Sequence, residues 1–403
     1  MIRPRLPPRQ RMGVRGHTAP GRTIPPPIMW SRPTSRRDLL RATGLAALGA
    51  PLSACAARVA PSLVVPEAPR RFARVRVAED RIIRTVVGLR PFRPAGFVVG
   101  AEKLGAKTVV HNYGHGGGGV TLSWGTSELA VDEAWATGEK SFAVLGCGAV
   151  GLATARLLLQ RGAEVTIYAK DLPPNTTSNI AGAQWSPYTV VDDDRRTPAF
   201  DALLARAAHL SHRRFQQLPR MEYGIRWLEN YVLSDEPFTP RSAREAAIAD
   251  LFPDAHELRP AEHPFASRYV RRFTTMLIEP PVYLAALLRD VRLAGGRIVV
   301  RELARREDVL GLPEPVVVNC TGLGARSLFG DDGFLPIKGQ LTVLLPQDEV
   351  DYIVLTSELY MFPRRDGILL GGTHERGVET LEVNENARQS IVAGHRALFA
   401  GMR

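Results

Sequence analysis

A short apolar run, Ser141-Phe142-Ala143-Val144-Leu145, leads straight into Gly146-Cys147-Gly148-Ala149-Val150-Gly151, and Leu152 to Arg161 then follow a helical period. Strand, Gly-x-Gly-x-x-Gly and helix in that order constrain the chain more than any other feature, because they specify the phosphate-binding turn of a βαβ unit. Gly146 permits the tight turn, Gly148 lets the backbone approach a pyrophosphate, and Gly151 lets helix and strand pack closely. The N-terminus of that helix offers amides and a partial positive charge to phosphates, and Ala149 and Val150 of the turn are cofactor-binding candidates with the glycines. A second strand, Glu164-Val165-Thr166-Ile167-Tyr168-Ala169, follows at βαβ spacing. Asp171 lies about twenty residues beyond Gly151, where a carboxylate can hold ribose hydroxyls. An adenine dinucleotide is expected, and this unit alone leaves open which one.

The length of 403 residues, 45% of them hydrophobic and 23% charged, suits one large or two intimate domains and excludes disordered or fibrous chains. The formal charge of +11 is no nucleic-acid footprint. Met1 to Arg74 holds 14 Arg against 2 acidic residues, a net of +12, which leaves about −1 for the rest. Cys55, Cys147 and Cys320 are too few and too scattered for a disulfide scaffold or a zinc cage. Within the basic leader, Ser35-Arg36-Arg37-Asp38-Leu39-Leu40-Arg41 reads as a twin-arginine export signal. The apolar stretch from Ala42 to Ala54 is too short to span a membrane and ends in Leu52-Ser53-Ala54-Cys55, which resembles a bacterial lipobox. The expectation is export in a bacterium to the periplasm or cell envelope, with membrane contact only through a lipid on Cys55.

The residues after Asp171 separate FAD from NAD. Thr176-Thr177-Ser178-Asn179-Ile180-Ala181-Gly182-Ala183-Gln184-Trp185-Ser186-Pro187-Tyr188 closely resembles the flavin loop of the D-amino-acid oxidase family. Val110-His111-Asn112-Tyr113-Gly114-His115-Gly116-Gly117-Gly118-Gly119-Val120-Thr121 resembles that family's signature, and Gly88-Leu89-Arg90-Pro91-Phe92-Arg93-Pro94 resembles its arginine strand. Pro336-Ile337-Lys338-Gly339-Gln340, Tyr360-Met361-Phe362-Pro363 and Gly371-Gly372-Thr373 resemble its central motifs. The order differs from the family's: the arginine strand and the His-Asn-Tyr-Gly-His block, which close ordinary members, here precede the dinucleotide turn. The sequence looks circularly permuted, with Val131 to Lys140 joining the old end to the old beginning.

The resemblance implies FAD, an amino-acid substrate and oxygen, and it assigns roles. Arg90 would grip the substrate carboxylate with its planar fork, and the Tyr360 hydroxyl would add a second donor. The backbones of Gly182, Ala183 and Gln184 would contact the flavin ring, and Thr176, Thr177 and Ser178 the pyrophosphate. Gly116, Gly117, Gly118 and Gly119, followed by Val120 and Thr121, read as a glycine loop opening a helix whose amides face the charge of the reduced ring. The glycines would let the backbone sit against the ring. His374 follows Gly371-Gly372-Thr373 at a position that is apolar in family members acting on neutral D-amino acids and arginine in D-aspartate oxidases. It is the candidate for substrate side-chain contact. His111 and His115 lie at i, i+4 across glycines, with no third ligand nearby, so no metal site is expected.

The fold class is α/β, a doubly wound Rossmann-like FAD domain interleaved with a mixed-sheet substrate domain. The expected segments are an export signal over 1–55, a linker over 56–74 and a permuted family C-terminal segment over 75–140. The dinucleotide fold follows over 141–220 and returns over 278–335, and the substrate domain takes 221–277 and 336–403. Helices are expected over Phe200 to Gln217 and Tyr283 to Leu293, with strands at Gly296 to Val300 and Val316 to Cys320. The leading function is FAD-dependent oxidative deamination of D-amino acids. A D-aspartate, glycine or secondary-amine oxidase on the same fold, a pyridine-nucleotide dehydrogenase and a non-enzymatic nucleotide-binding lipoprotein stand as alternatives.

Overall fold

A computed structural model describes residues 70–403 of the chain. The expected export signal, most of the linker and Cys55 lie outside the described residues. Two sheets divide the described chain. The smaller holds β2 (Val98–Leu104), β3 (Lys107–Tyr113), β4 (Ser141–Leu145), β5 (Glu164–Ala169), β9 (Arg297–Val300) and β10 (Val316–Asn319), in the spatial order β2-β3-β10-β4-β5-β9. From β3 to β9 every pairing is parallel, and β2 closes one edge antiparallel. Near-continuous apolar strands such as Phe142 to Leu145 and Val316 to Val318 are what a sheet covered on both faces requires.

Its helical cover comes from α1 (Gly119–Trp135), α2 (Ala149–Gln160), α3 (Pro198–Gln217) and α4 (Pro280–Leu293). Thr197 caps α3 through the Phe200 amide at 3.2 Å, and Pro280 opens α4 where a missing N–H costs nothing. Most of α1 is buried, and it crosses α3 so closely that a Cβ on Gly125 would overlap the carbonyl of Ala207. Small polar residues seal that side: Asn112 donates to Ser127 at 3.2 Å, and Thr154 donates to Ser127 at 2.8 Å. The predicted helices and strands of this half match within a few residues. Strand β10 ends at Asn319, leaving Cys320 to begin the turn.

The larger sheet holds β1 (Ile82–Arg90), β6 (Ile225–Ser234), β7 (His256–Leu258), β8 (Tyr269–Ile278), β11 (Ile337–Leu344), β12 (Tyr352–Leu355), β13 (Tyr360–Arg364), β14 (Gly367–Gly371) and β15 (Glu375–Arg376). Its order is β1-β11-β14-β13-β12-β6-β8-β7, with β15 also on β11. Alternation gives it two apolar faces. Leu344, Tyr352, Val354, Met361, Ile368 and Leu370 form a core with Val75, Phe399 and Met402 on one face. Leu228, Leu277, Leu341, Val343, Phe362 and Leu369 form the other. The segment read as one unit over 75–140 is split: β1 joins this sheet, whereas β2 and β3 join the smaller one. Arg90 therefore stands on one sheet and the glycine loop on the other, joined by Pro91 to Phe97.

Candidate functional site

The turn after β4 is built for close approach. Gly146 has φ +100, and a Cβ there would stand 2.6 Å from the Cys320 carbonyl oxygen. A Cβ on Gly151 would overlap the carbonyl of Gly146, and one on Gly148 would lie 2.9 Å from Ser178 Oγ. Two of the three glycines are thus required by the turn itself, and Gly148 keeps a polar cradle open. The first amides of α2 lie outside the helical ladder. That of Ala149 donates to Ser178 Oγ at 3.0 Å, which shows what an acceptor oxygen finds at this helix end. Asp171 is exposed just past β5. Val300, 65% exposed at the end of neighbouring β9, adds an apolar platform that the sequence reading missed. Only the parallel pairing of Ala169 with Val300 brings it there. An anion cradle, an adjacent carboxylate and an apolar platform at the strand C-termini fit the phosphates, ribose and adenine of FAD.

The loop over 181–186 is stitched to the larger sheet. Trp185 N donates to Met276 O at 2.7 Å, Ile278 N to Ala183 O at 2.9 Å, and Gln184 Nε2 to Asn230 at 2.5 Å. Arg364, itself paired with Asp366, donates to Ala181 O at 3.0 Å. Gly182 faces Phe362 so closely that a Cβ would overlap its ring. Thr176 Oγ1 donates to Asn179 at 2.8 Å, and Thr177 begins a short helix ending at Ile180. Thr121 ties the glycine loop to this segment by accepting from Ser186 N at 3.2 Å.

The glycine loop is packed on one side by the rest of the chain. Gly116, Gly117 and Gly118 form one 3-10 turn before α1, as expected, but the protein itself fills the space beside them. A Cβ on Gly116 would meet Phe92 and the Thr189 carbonyl at 2.7 Å, one on Gly117 the Thr189 hydroxyl at 2.5 Å, and one on Gly118 Val190 at 2.5 Å. Gly119 has only His115 Cβ nearby, at 3.9 Å. Packing of Thr189 and Val190 is therefore sufficient reason for three of the four glycines. The Val120 side chain is buried in the core, so any contact it makes with a ligand is through its backbone.

Arg90 ends β1 with its guanidinium laid across Gly339, where a Cβ would sit 2.6 Å from both terminal nitrogens. Nη1 donates to Thr373 O and Nη2 to Tyr360 Oη, each at 3.3 Å. Tyr360 in turn lies over Gly371, whose Cβ would overlap its ring. Burial raises the Tyr360 phenol pKa and the Arg90 cation opposes the rise, so the hydroxyl stays protonated and can donate. Thr373 is presented by a β-bulge. Leu341 pairs with Gly371 and Lys338 with Glu375, so Gly372, Thr373 and His374 oppose only Gly339 and Gln340. Gln340 N holds Thr373 Oγ1 at 2.6 Å. His374 leaves this bulge exposed. Desolvation, and then the Arg90 cation, hold its pKa below the ordinary imidazole value.

The two signature histidines are structural in their contacts. Asn319 donates to His111 Nδ1 at 3.1 Å, which turns Nε2 toward Glu102 at 3.4 Å. His115 Nε2 meets Thr126 Oγ1 at 2.9 Å while the Thr126 proton goes to Leu122 O, so the imidazole donates. Among the described residues no three metal-binding side chains lie together. Burial drops the His115 pKa to about 3, so it is neutral when folded but takes a proton near pH 6.5 when unfolded. Acidification from about 6.5 toward 3 should therefore cost stability through this group, at up to about 1.4 kcal/mol per pH unit. Urea midpoints of the wild type and His115→Gln across that window should differ in slope by one proton; equal slopes would remove His115 as an acid-sensitive group.

The family model described as FAD dependent oxidoreductase matches residues 14–133 and 141–403. The D-amino acid oxidase of Dugesia ryukyuensis is 28% identical over 266 residues, 64% of this chain and 78% of that protein. The D-amino-acid oxidase of Rubrobacter xylanophilus is 31% identical over 269 residues, covering 64% and 77%. The human D-aspartate oxidase is 30% identical over 264 residues, covering 62% and 73%.

Proposed function

The chain belongs to the family of FAD dependent oxidoreductases, and from that premise we propose that it oxidises D-amino acids to 2-oxo acids, ammonia and hydrogen peroxide, with oxygen as final acceptor. The observation that carries this reading is the fork of Arg90 beside the Tyr360 hydroxyl, on a strand next to the glycine loop. Bound FAD would take the α-hydrogen of the substrate as hydride. Gly146 to Gly151, Asp171 and Thr176 to Ser178 would hold its dinucleotide end, and Gly182, Ala183, Gln184 and the glycine loop would hold its flavin end. Arg90 grips both carboxylate oxygens, and Tyr360 adds a donor, so the α-carbon is oriented before reaction. His374 contacts the substrate side chain. Burial and the Arg90 cation lower its pKa, which weakens any attraction it has for acidic side chains.

We further propose that the chain is a circular permutant of its family. The break in the family match between 133 and 141 supports this, as does the junction, where Lys140 lies 3.7 Å over the Trp135 ring and Trp135 stacks on Phe142. So does the meeting of Arg74 with the Met402 carbonyl, which sets the two ends of the permuted body side by side. The twin-arginine motif and Cys55 support export to the periplasm or cell envelope with a lipid anchor; cell fractionation with and without Cys55→Ala tests it.

The test of function is the visible spectrum of the purified protein, followed anaerobically as neutral D-amino acids, D-aspartate and then L-amino acids are added. The expected result is a flavin band bleached by the neutral D set alone. A band that no D-amino acid bleaches overturns the substrate class.

A further inference from the structure

Thr189 has φ +59, a left-handed conformation that β-branched residues avoid. What it achieves is position. Its carbonyl accepts from Gly117 N at 3.2 Å, and its hydroxyl oxygen lies where a Cβ on Gly117 would come within 2.5 Å. The same Cβ point is 3.8 Å from Arg90 Cδ, so Thr189 and the stem of Arg90 flank one exposed glycine. The segment is anchored on both sides. Val190 is buried against Gly118, Asp192 N donates to Pro94 O at 2.9 Å, and the Asp192 carboxylate takes both Arg376 nitrogens at 3.0 and 2.6 Å. Arg376 belongs to the stretch that carries Thr373 and His374, so the loop and the bulge are clamped together.

Strain of this kind persists only where surrounding structure over-determines it, and it collects at working sites. The Thr189 hydroxyl is exposed and makes no hydrogen bond among the described residues. Resting on the reading of Arg90 as carboxylate anchor, we infer that Thr189 is a further substrate-binding residue, whose hydroxyl accepts a hydrogen bond from the substrate α-amine. The geometry points to the amine because the Arg90 fork lies away at Gly339 and Tyr360, whereas Thr189 stands beside the stem. With the carboxylate taken by the fork, the amine is the substrate's remaining polar group for the Thr189 hydroxyl. The amine is also a polar group that every amino-acid substrate carries.

The experiment compares wild type, Thr189→Val and Thr189→Ser as FAD-loaded enzymes. KM is measured for one neutral D-amino acid, and the dissociation constant of a simple carboxylate lacking an amine is read from the flavin spectrum. Loss of one hydrogen bond to a charged donor predicts a KM about tenfold higher in Thr189→Val, carboxylate binding unchanged and Thr189→Ser near wild type. Equal KM values overturn the assignment. An equal weakening of both ligands also overturns it, since a disturbed loop would act on both. Failure of the wild type to turn over any D-amino acid would instead sink the functional reading itself.

Discussion

Replacing Arg90 by Ala should lower the rate of flavin reduction at subsaturating D-amino acid about a thousandfold while leaving the flavin band intact. The magnitude follows from losing two charge-assisted hydrogen bonds in a partly desolvated site, each worth roughly 1.5–3 kcal/mol. Arg90→Lys should recover only part of the loss, because an ammonium lacks the planar fork and cannot lie flat on Gly339. Anaerobic stopped-flow reduction separates the effects. Arg90 contributes to orientation if the limiting rate falls along with affinity, and to binding alone if only the concentration dependence moves. Reduction of Arg90→Ala as fast as the wild type would remove it from the site.

The second large effect is expected at Gly151, where an added methyl would overlap the Gly146 carbonyl. Neither partner can yield, since both belong to backbone in the turn, and Gly146 is already pressed against Cys320. Gly151→Ala should give protein without a flavin band, or destabilised by about 3 kcal/mol or more, at or above the upper end of the usual cost of overpacking. Gly100→Ala, on β2 and away from the site, is the contrasting case: nothing lies within 4 Å of the added methyl, so it should retain flavin and stability near wild type. Flavin content and thermal melts of the two variants check both outcomes. A yellow, stable Gly151→Ala would show that the turn can open.

The βαβ unit was readable because its signals are local: an apolar run, three glycines and a helical period lie within about twenty residues. Arg90, Tyr360 and His374 were found only through resemblance, since a lone strand arginine or a lone tyrosine carries no chemistry by itself. What sequence could not show depends on register between distant strands. The bulge that turns Thr373 toward Arg90 exists only in the mismatch between Gly339-Gln340 and Gly372 to His374. The splitting of residues 75–140 between two sheets likewise follows from the pairing of β1 with β11. The glycine run was visible, but its cause was not, because Thr189 and Val190 arrive from another part of the chain.

That pairing also sets a timetable for assembly. Arg90 and Tyr360 are 270 positions apart, and the strand carrying Arg90 precedes every partner it has in the larger sheet. During synthesis β1 emerges early and waits as an unpaired edge until β11 is made, while the βαβ unit can form behind it from neighbouring residues. Such high contact order slows the final closure and exposes strand edges in the meantime. The Arg90–Tyr360 pair thus joins a strand made well before its partners and is among the last contacts to be assembled.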